Sequence, residues 1–482
     1  MHFHAFLLAA AAAAAAIPLA EVDVAIIGAG LSGLSAAKDL AAAGKSFAVL
    51  EARDRVGGRV LNVELPGGIV EEVGAEFVGP TQDRVLALAT ELGLSTYPTY
   101  NTGNCTLLRN GTVTNYPCDL GSGGLPPVST EALIELVTLQ QRFNTLAAEL
   151  DVRAPWNHPN ASMWDSITLG TFIASQLSLS DAKFLIDTAI TGILSTETNE
   201  PSLLYMLAYI AASGNETTPG TLDRLIGVTG GAQERRILGG TQLIALRLAE
   251  KLGGENIHLN SPVRRIQRHK GRYTVISDRR QLTANKVIVA MSPPLAARIA
   301  YDPPLSPGRD HLTQRMPMGS IGKAIAIYPT PWWREMGLNA QALADTGIIR
   351  ITYDNTPVDG SFGAIMGFIV ADEMRRLDKL NQSEIEGLVT QSLVDMFGTE
   401  AARPTQVIVH RWDLEVYSRG GPVAYAPPGV LTDYGASLRE PVGGIYFAGT
   451  ETSFYWVGYM DGAVRGGEWV AAEVLQQYTT SQ

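Results

Sequence analysis

The spacing of apolar positions changes several times along this chain, and each change marks an element. Val22-Asp23-Val24-Ala25-Ile26-Ile27 is a short, nearly continuous apolar run. It reads as a buried parallel strand. Leu34 to Ala43 reads as a helix closed by Gly44, and Ser46 to Leu50 as a second strand ending at Glu51. Thr130 to Leu150 and Asp165 to Ala212 carry apolar residues at i, i+3 and i+4, which predicts helices. Thr241 to Leu252 is helix-like, and Asn256 to Leu259 and Ser261 to Val263 are strand-like. Lys286 to Ala290, Ile348 to Tyr353, Ala364 to Ala371 and Ile445 to Ala448 read as further strands. A C-terminal helix opens in Trp456 to Ala463 and reaches about Gln476.

The turn after the first strand carries chemistry. Gly28-Ala29-Gly30-Leu31-Ser32-Gly33 lies between strand and helix, and Glu51 ends the next strand 18 residues after Gly33. In this context Gly28 permits the tight turn and Gly30 lets backbone approach a pyrophosphate. Gly33 lets helix and strand pack closely. The helix N-terminus offers free N–H groups and a positive dipole end. Glu51 is placed to accept ribose hydroxyls and would repel a 2′-phosphate, which disfavours NADP. The expected fold class is therefore α/β, with a Rossmann-like dinucleotide domain.

Composition narrows the picture. The 46% hydrophobic and 18% charged residues describe a globular chain. Its 49 glycines in 482 residues amount to about 10%, above the typical ~7%. There are 37 basic and 48 acidic residues, a net charge of -11, and no Lys/Arg-rich run. A nucleic-acid partner is not expected. The seven histidines show no ligand spacing outside the His2/His4 pair, so no metal site is expected.

Residues 1–20 are read as a signal peptide around the Ala-rich run Ala5 to Ala20, the alternative being an N-terminal tail. No second long apolar span follows, so no membrane span is expected. Five Asn-X-Ser/Thr sequons, at Asn104, Asn110, Asn160, Asn215 and Asn381, point the same way, to secretion or the secretory lumen. Cys105 and Cys118 flank a hairpin whose turn is Asn110-Gly111. That turn sets Cys105 opposite Tyr116, with Cys118 near but out of register. A disulfide and two free buried thiols both remain open.

The segment Glu51-Ala52-Arg53-Asp54-Arg55-Val56-Gly57-Gly58-Arg59 resembles the second nucleotide-contacting motif of the flavin amine oxidase superfamily. The resemblance runs through most of residues 22 to 475 and is closest to monoamine oxidases. It implies a glutathione-reductase-type FAD domain over 21–100, 228–300 and 411–478. An α+β substrate domain over 101–227 and 301–410 is interleaved with it. It further implies FAD contacts from Gly28, Gly30, Gly33, Glu51, Ala52, Arg53, Gly58 and Arg59. Gly74 and Ala75, in the segment passing the isoalloxazine, join them, as do Val263, Trp412, Gly449, Glu451, Tyr459 and Met460. Lys323, matching the family lysine that reaches the flavin through a water, forms a catalytic set with Trp412 and Tyr459. Gln233 and Ile226 match residues of the substrate cavity.

Alignment on Ser418 and Pro427-Pro428-Gly429 puts Gly421 where animal monoamine oxidases carry the flavin-linking cysteine, so FAD is expected to be non-covalent. Pro422 falls where one of two cage tyrosines stands. Tyr459 matches the other, with Tyr425 or Tyr455 as substitutes for the lost ring. The implied reaction takes a primary amine, O2 and water to an aldehyde or ketone, ammonia and H2O2. A bulky or long-chain amine is favoured, and a fumonisin-type amine oxidase is one form of that idea. Polyamine oxidase and L-amino-acid oxidase are the rival activities, and a non-catalytic flavin-binding protein is the rival of another class. A homodimer is one expectation for assembly.

Overall fold

The computed structural model describes residues 17–18, 21–118 and 125–479. The signal-peptide reading of 1–20 lies outside these, save that Ile17–Pro18 pairs in parallel with Arg280 and Gln281.

Two large sheets organise the chain. In the first, Ile257–His258, Phe47–Leu50, Val22–Ile27, the end of Arg280–Ala290 and Ile445–Ala448 run parallel in that order. The start of Arg280–Ala290 turns into an antiparallel layer with Arg272–Ser277 and Val263–His269. Strand alternation explains why the central strands are apolar throughout. Val24 and Ile26 face the core under the helices Leu31–Ala42 and Met460–Thr479, whereas Ala25 and Ile27 face a second core with Val275 and Phe447. The two helices cross closely because Gly467 has no β-carbon; one placed there would overlap the Ser32 carbonyl oxygen.

The second sheet has the order Gln406–Arg411, Ile321–Tyr328, Gly363–Val370, Ile351–Asp354, Leu338–Ala344, Asn104–Arg109, Thr112–Pro117. Along Ile321–Tyr328, Ala324 and Ala326 face the core under the helix Gln382–Phe397. Ile325 and Ile327 face the other way, onto Val73. Lys323 shares their parity and so points toward the same side as Val73.

The hairpin 104–117 forms as the Asn-Gly turn predicts. Asn110 and Gly111 have φ of 52° and 74°, and Cys105 stands opposite Tyr116. Cys105 and Cys118 are joined in a disulfide, with Cα atoms 5.3 Å apart.

The apolar stretch 165–212 is not one or two long helices. It breaks into Leu169–Gln176, Ser180–Leu194 and Leu203–Ala211, preceded by Ala161–Asp165. Thr168 and Ser202 accept from the Thr171 and Tyr205 N–H groups and cap two of them. These helices share one core with Tyr425 and Trp456.

Candidate active site

The Gly-rich turn is held as its residue types require. Gly28, at φ 103°, donates its N–H to the Leu50 carbonyl at 2.9 Å. A β-carbon on Gly33 would overlap the Gly28 carbonyl oxygen, so helix and strand could not meet with any other residue there. The helix begins after Gly30 with no side-chain cap and no acidic residue in its first turn. Its first N–H groups therefore face the cavity lined by Gly30, Leu31 and Ser32. Gly57 donates its N–H to Ala29 O at 2.9 Å, and Gly30 and Gly57 form a parallel bridge. The second glycine pair thus docks on the first turn. Buried Glu51 accepts the Ala29 N–H at 2.7 Å and the Arg53 N–H at 2.9 Å.

From this turn a cavity of about 570 Å³ runs between the two sheets. Its nucleotide end is lined by Gly28, Gly30, Glu51, Ala52, Arg53, Gly58, Arg59 and Val263. Its middle is lined by Gly74, Ala75, Lys323, Trp412, Pro422, Gly449, Tyr459 and Met460. Gln233 and Ile226 line the cavity as well. Gly33 lies beneath the turn, in the packing role expected of it.

Glu451 departs from expectation. It does not line the cavity; its carboxylate takes the Arg59 guanidinium at 2.7 and 3.1 Å and the Ala424 N–H at 3.3 Å. It orients Arg59, which does line the cavity and also donates to Pro422 O at 2.6 Å.

The supposed substitutes for the missing ring are also elsewhere. Tyr425 lies in the helical core with its hydroxyl on Glu200 Oε1 at 3.1 Å, and Tyr455 lies beside Arg465. Among the rings that line the cavity, Tyr209 stands 6.2 Å from Tyr459 between centroids and is tilted by 40°. Burial holds both phenols above their ordinary value, so both stay neutral donors. No motif announces Tyr209; only its apolar helix could have pointed to it.

A group of charges backs the middle of the cavity. Lys323 Nζ donates to Glu76 Oε2 at 2.5 Å, Glu72 O at 2.7 Å and Gly74 O at 3.0 Å. Arg236 meets Glu76 at 2.6 Å and Glu72 at 3.1 Å. Burial, and then Glu76, raises Glu72. Burial pushes Glu71 up to about 8, so it is protonated at neutral pH. Burial works against the Arg236 charge, but Glu76 and Glu72 outweigh it and raise that guanidinium. Trp412 Nε1 donates to Val73 O at 2.8 Å and fixes the segment that carries these carboxylates.

The rest of the lining is largely apolar and aromatic. Phe77, Tyr116, Ile193, Leu225, Tyr353 and Phe368 belong to it, and the disulfide fastens the wall at Cys105. Gln233 is one of its few polar groups. Its Nε2 donates to Leu225 O at 3.1 Å, and its Oε1 has no hydrogen-bond partner among the described residues.

A dinucleotide turn that opens into an aromatic-lined cavity beside a buried lysine fits an oxidoreductase with a dinucleotide cofactor. Comparison makes this specific. The family model for flavin-containing amine oxidoreductases matches residues 31–475, and the chain belongs to that family. A Mycobacterium tuberculosis protein described as a flavin-containing monoamine oxidase, AofH, is 40% identical over 94% of this chain and 96% of its own. Flavin-containing amine oxidase A of Sus scrofa is 37% identical over 94% and 85%. Among solved structures, putrescine oxidase bound to putrescine superposes with a TM-score of 0.89 at 32% identity, over 95% of this chain and 100% of that one. Cyclohexylamine oxidase from Brevibacterium oxydans superposes equally well, with a TM-score of 0.89 at 34% identity over 95% and 100%.

The chain is thus an FAD-dependent amine oxidase. The residues present fit the cofactor: an uncapped helix end for the pyrophosphate, Glu51 for the ribose, and backbone glycines where side chains would block entry. When bound, FAD accepts the electrons taken from the amine and passes them to O2. The protein supplies the position, the exclusion of water and the local charge.

Proposed function

We propose that this enzyme oxidises a primary amine with a bulky or long apolar body, giving an aldehyde or ketone, ammonia and H2O2. The observation that carries this reading is the apolar and aromatic lining of the cavity. Among the described residues that line it the carboxylates are Glu51, held on the glycine turn, and Glu76, committed to Lys323 and Arg236. A second ammonium, as in putrescine or spermine, finds no counter-charge there, and burying it unpaired is costly. The cavity arginines, Arg53, Arg59, Arg264 and Arg298, all come from the nucleotide side, so an amino-acid carboxylate lacks a bidentate partner elsewhere in the cavity. Tyr459 and Tyr209 supply rings for the amine end. The free Gln233 Oε1 supplies an acceptor for an N–H.

The Gly421 position in the cavity wall supports non-covalent FAD. The disulfide, and exposed Asn104, Asn110, Asn160 and Asn381, support passage through an oxidising compartment. A peroxide-release screen over amines of graded length, L-amino acids and spermine tests the substrate class. Equal or better turnover of spermine or an L-amino acid would overturn it. Flavin that stays with the acid-precipitated protein would overturn the non-covalent reading. N-terminal sequencing of secreted material tests the compartment.

A further inference from the structure

We propose that Glu76 is a positioning residue for Lys323 and sets the net charge that the flavin meets. Both side chains line the cavity, and both are about 3% exposed. An ammonium has three N–H donors. Those of Lys323 are directed to Glu76 Oε2, Glu72 O and Gly74 O, so none is left over. The direction of the lysine is therefore fixed by the segment 72–76, and only Glu76 contributes a charge to it. The other Glu76 oxygen faces Arg236 Nε at 2.6 Å, so one carboxylate bridges two buried cations.

One carboxylate, Glu76, is thus shared between the Lys323 ammonium and the Arg236 guanidinium, and it is the only one paired with Lys323 among the described residues. Removing the Glu76 charge would leave one uncompensated cation beside the ring in a medium where charges are poorly screened. The reduced ring carries more negative charge than the oxidised one. A bare cation therefore favours reduction, and a bare anion opposes it. Glu76 thus keeps Lys323 from driving the flavin toward its reduced form while still holding the ammonium at the cavity wall.

The test is the flavin midpoint potential, measured anaerobically against reference dyes in the FAD-loaded enzyme. The set is wild type, Glu76→Gln, Lys323→Met and the double variant. The potential is expected to rise in E76Q, to fall in K323M, and to return near wild type in the double variant. A purely structural role for Glu76 would not give that return. No rise in E76Q, or a double variant displaced as far as either single one, would overturn the proposal. If E76Q does not retain FAD, K323M and the double variant carry the test: the double must lie above K323M, and equal potentials would refute the idea.

Discussion

Glu71 gives the most direct test of the buried charge group. Its side chain is 1% exposed and accepts from Asn355 Nδ2 at 2.5 Å, while Oε1 has no partner among the described residues. Burial, only partly offset by Arg236, pushes its pKa up to about 8, from 4.5. The folded state therefore keeps a proton that the unfolded chain has lost. The sign follows: stability from this group is whole below about pH 4.5 and is lost as pH rises toward 8. Each pH unit in that window costs about 1.4 kcal/mol, so the loss reaches about 4 kcal/mol by pH 7.5. At about 2.1 cal/mol/K per residue, a chain of this length unfolds with about 1 kcal/mol/K of entropy, which makes the loss worth about 4 °C in Tm. Glu71→Gln keeps the shape of the protonated acid and an acceptor for Asn355, but it cannot titrate. Thermal unfolding of FAD-loaded wild type and E71Q from pH 4.5 to 8 should show a gap opening by about 4 °C in favour of E71Q. Only the change in the gap matters, because other titrating groups are common to both proteins. Parallel curves would refute the assignment of a neutral Glu71.

Gly33→Ala places a β-carbon on the Gly28 carbonyl oxygen, so the variant should purify with little flavin absorbance per chain. Replacing both Cys105 and Cys118 by Ser opens a link spanning 13 residues. It should cost up to ~3 kcal/mol of stability. Because Cys105 and Tyr116 line the cavity, KM should move more than kcat. Asp354 is buried and accepts from Trp333 Nε1 at 2.8 Å and from Arg334 Nε and Nη2 at 2.8 and 2.9 Å. Asp354→Ala leaves the buried Trp333 N–H without its acceptor and should cost about 1–3 kcal/mol, read as a fall in Tm of the holoenzyme.

What the chain's own order reveals is set by how local each feature is. The Gly28–Gly33 turn and the 104–117 hairpin are governed by a few neighbouring residues, and both form as their residue types predict. Even the pairing of Cys105 with Tyr116, two residues short of Cys118, follows, because an Asn-Gly turn fixes the register of the whole hairpin. The broken helices of 165–212 were legible in part: Thr168 and Ser202 are capping residues, but a continuous apolar period masks them. Glu451 shows the limit of a motif, which locates a residue without saying which way its side chain turns; its carboxylate serves Arg59 instead of the cavity. Beyond that limit lie contacts made by tertiary packing. Lys323 and Glu76 are 247 residues apart, and their ion pair depends on parity along one strand and on a turn fastened by Trp412. Tyr209, Tyr353 and Phe368 meet only because a helix and two strands converge on one space. The cofactor end is therefore written in adjacent residues. The substrate end, which decides which amine is oxidised, is written in the register of the second sheet and its packing against the helices. A change of substrate can then be reached by substituting scattered residues there without touching the turn that holds FAD.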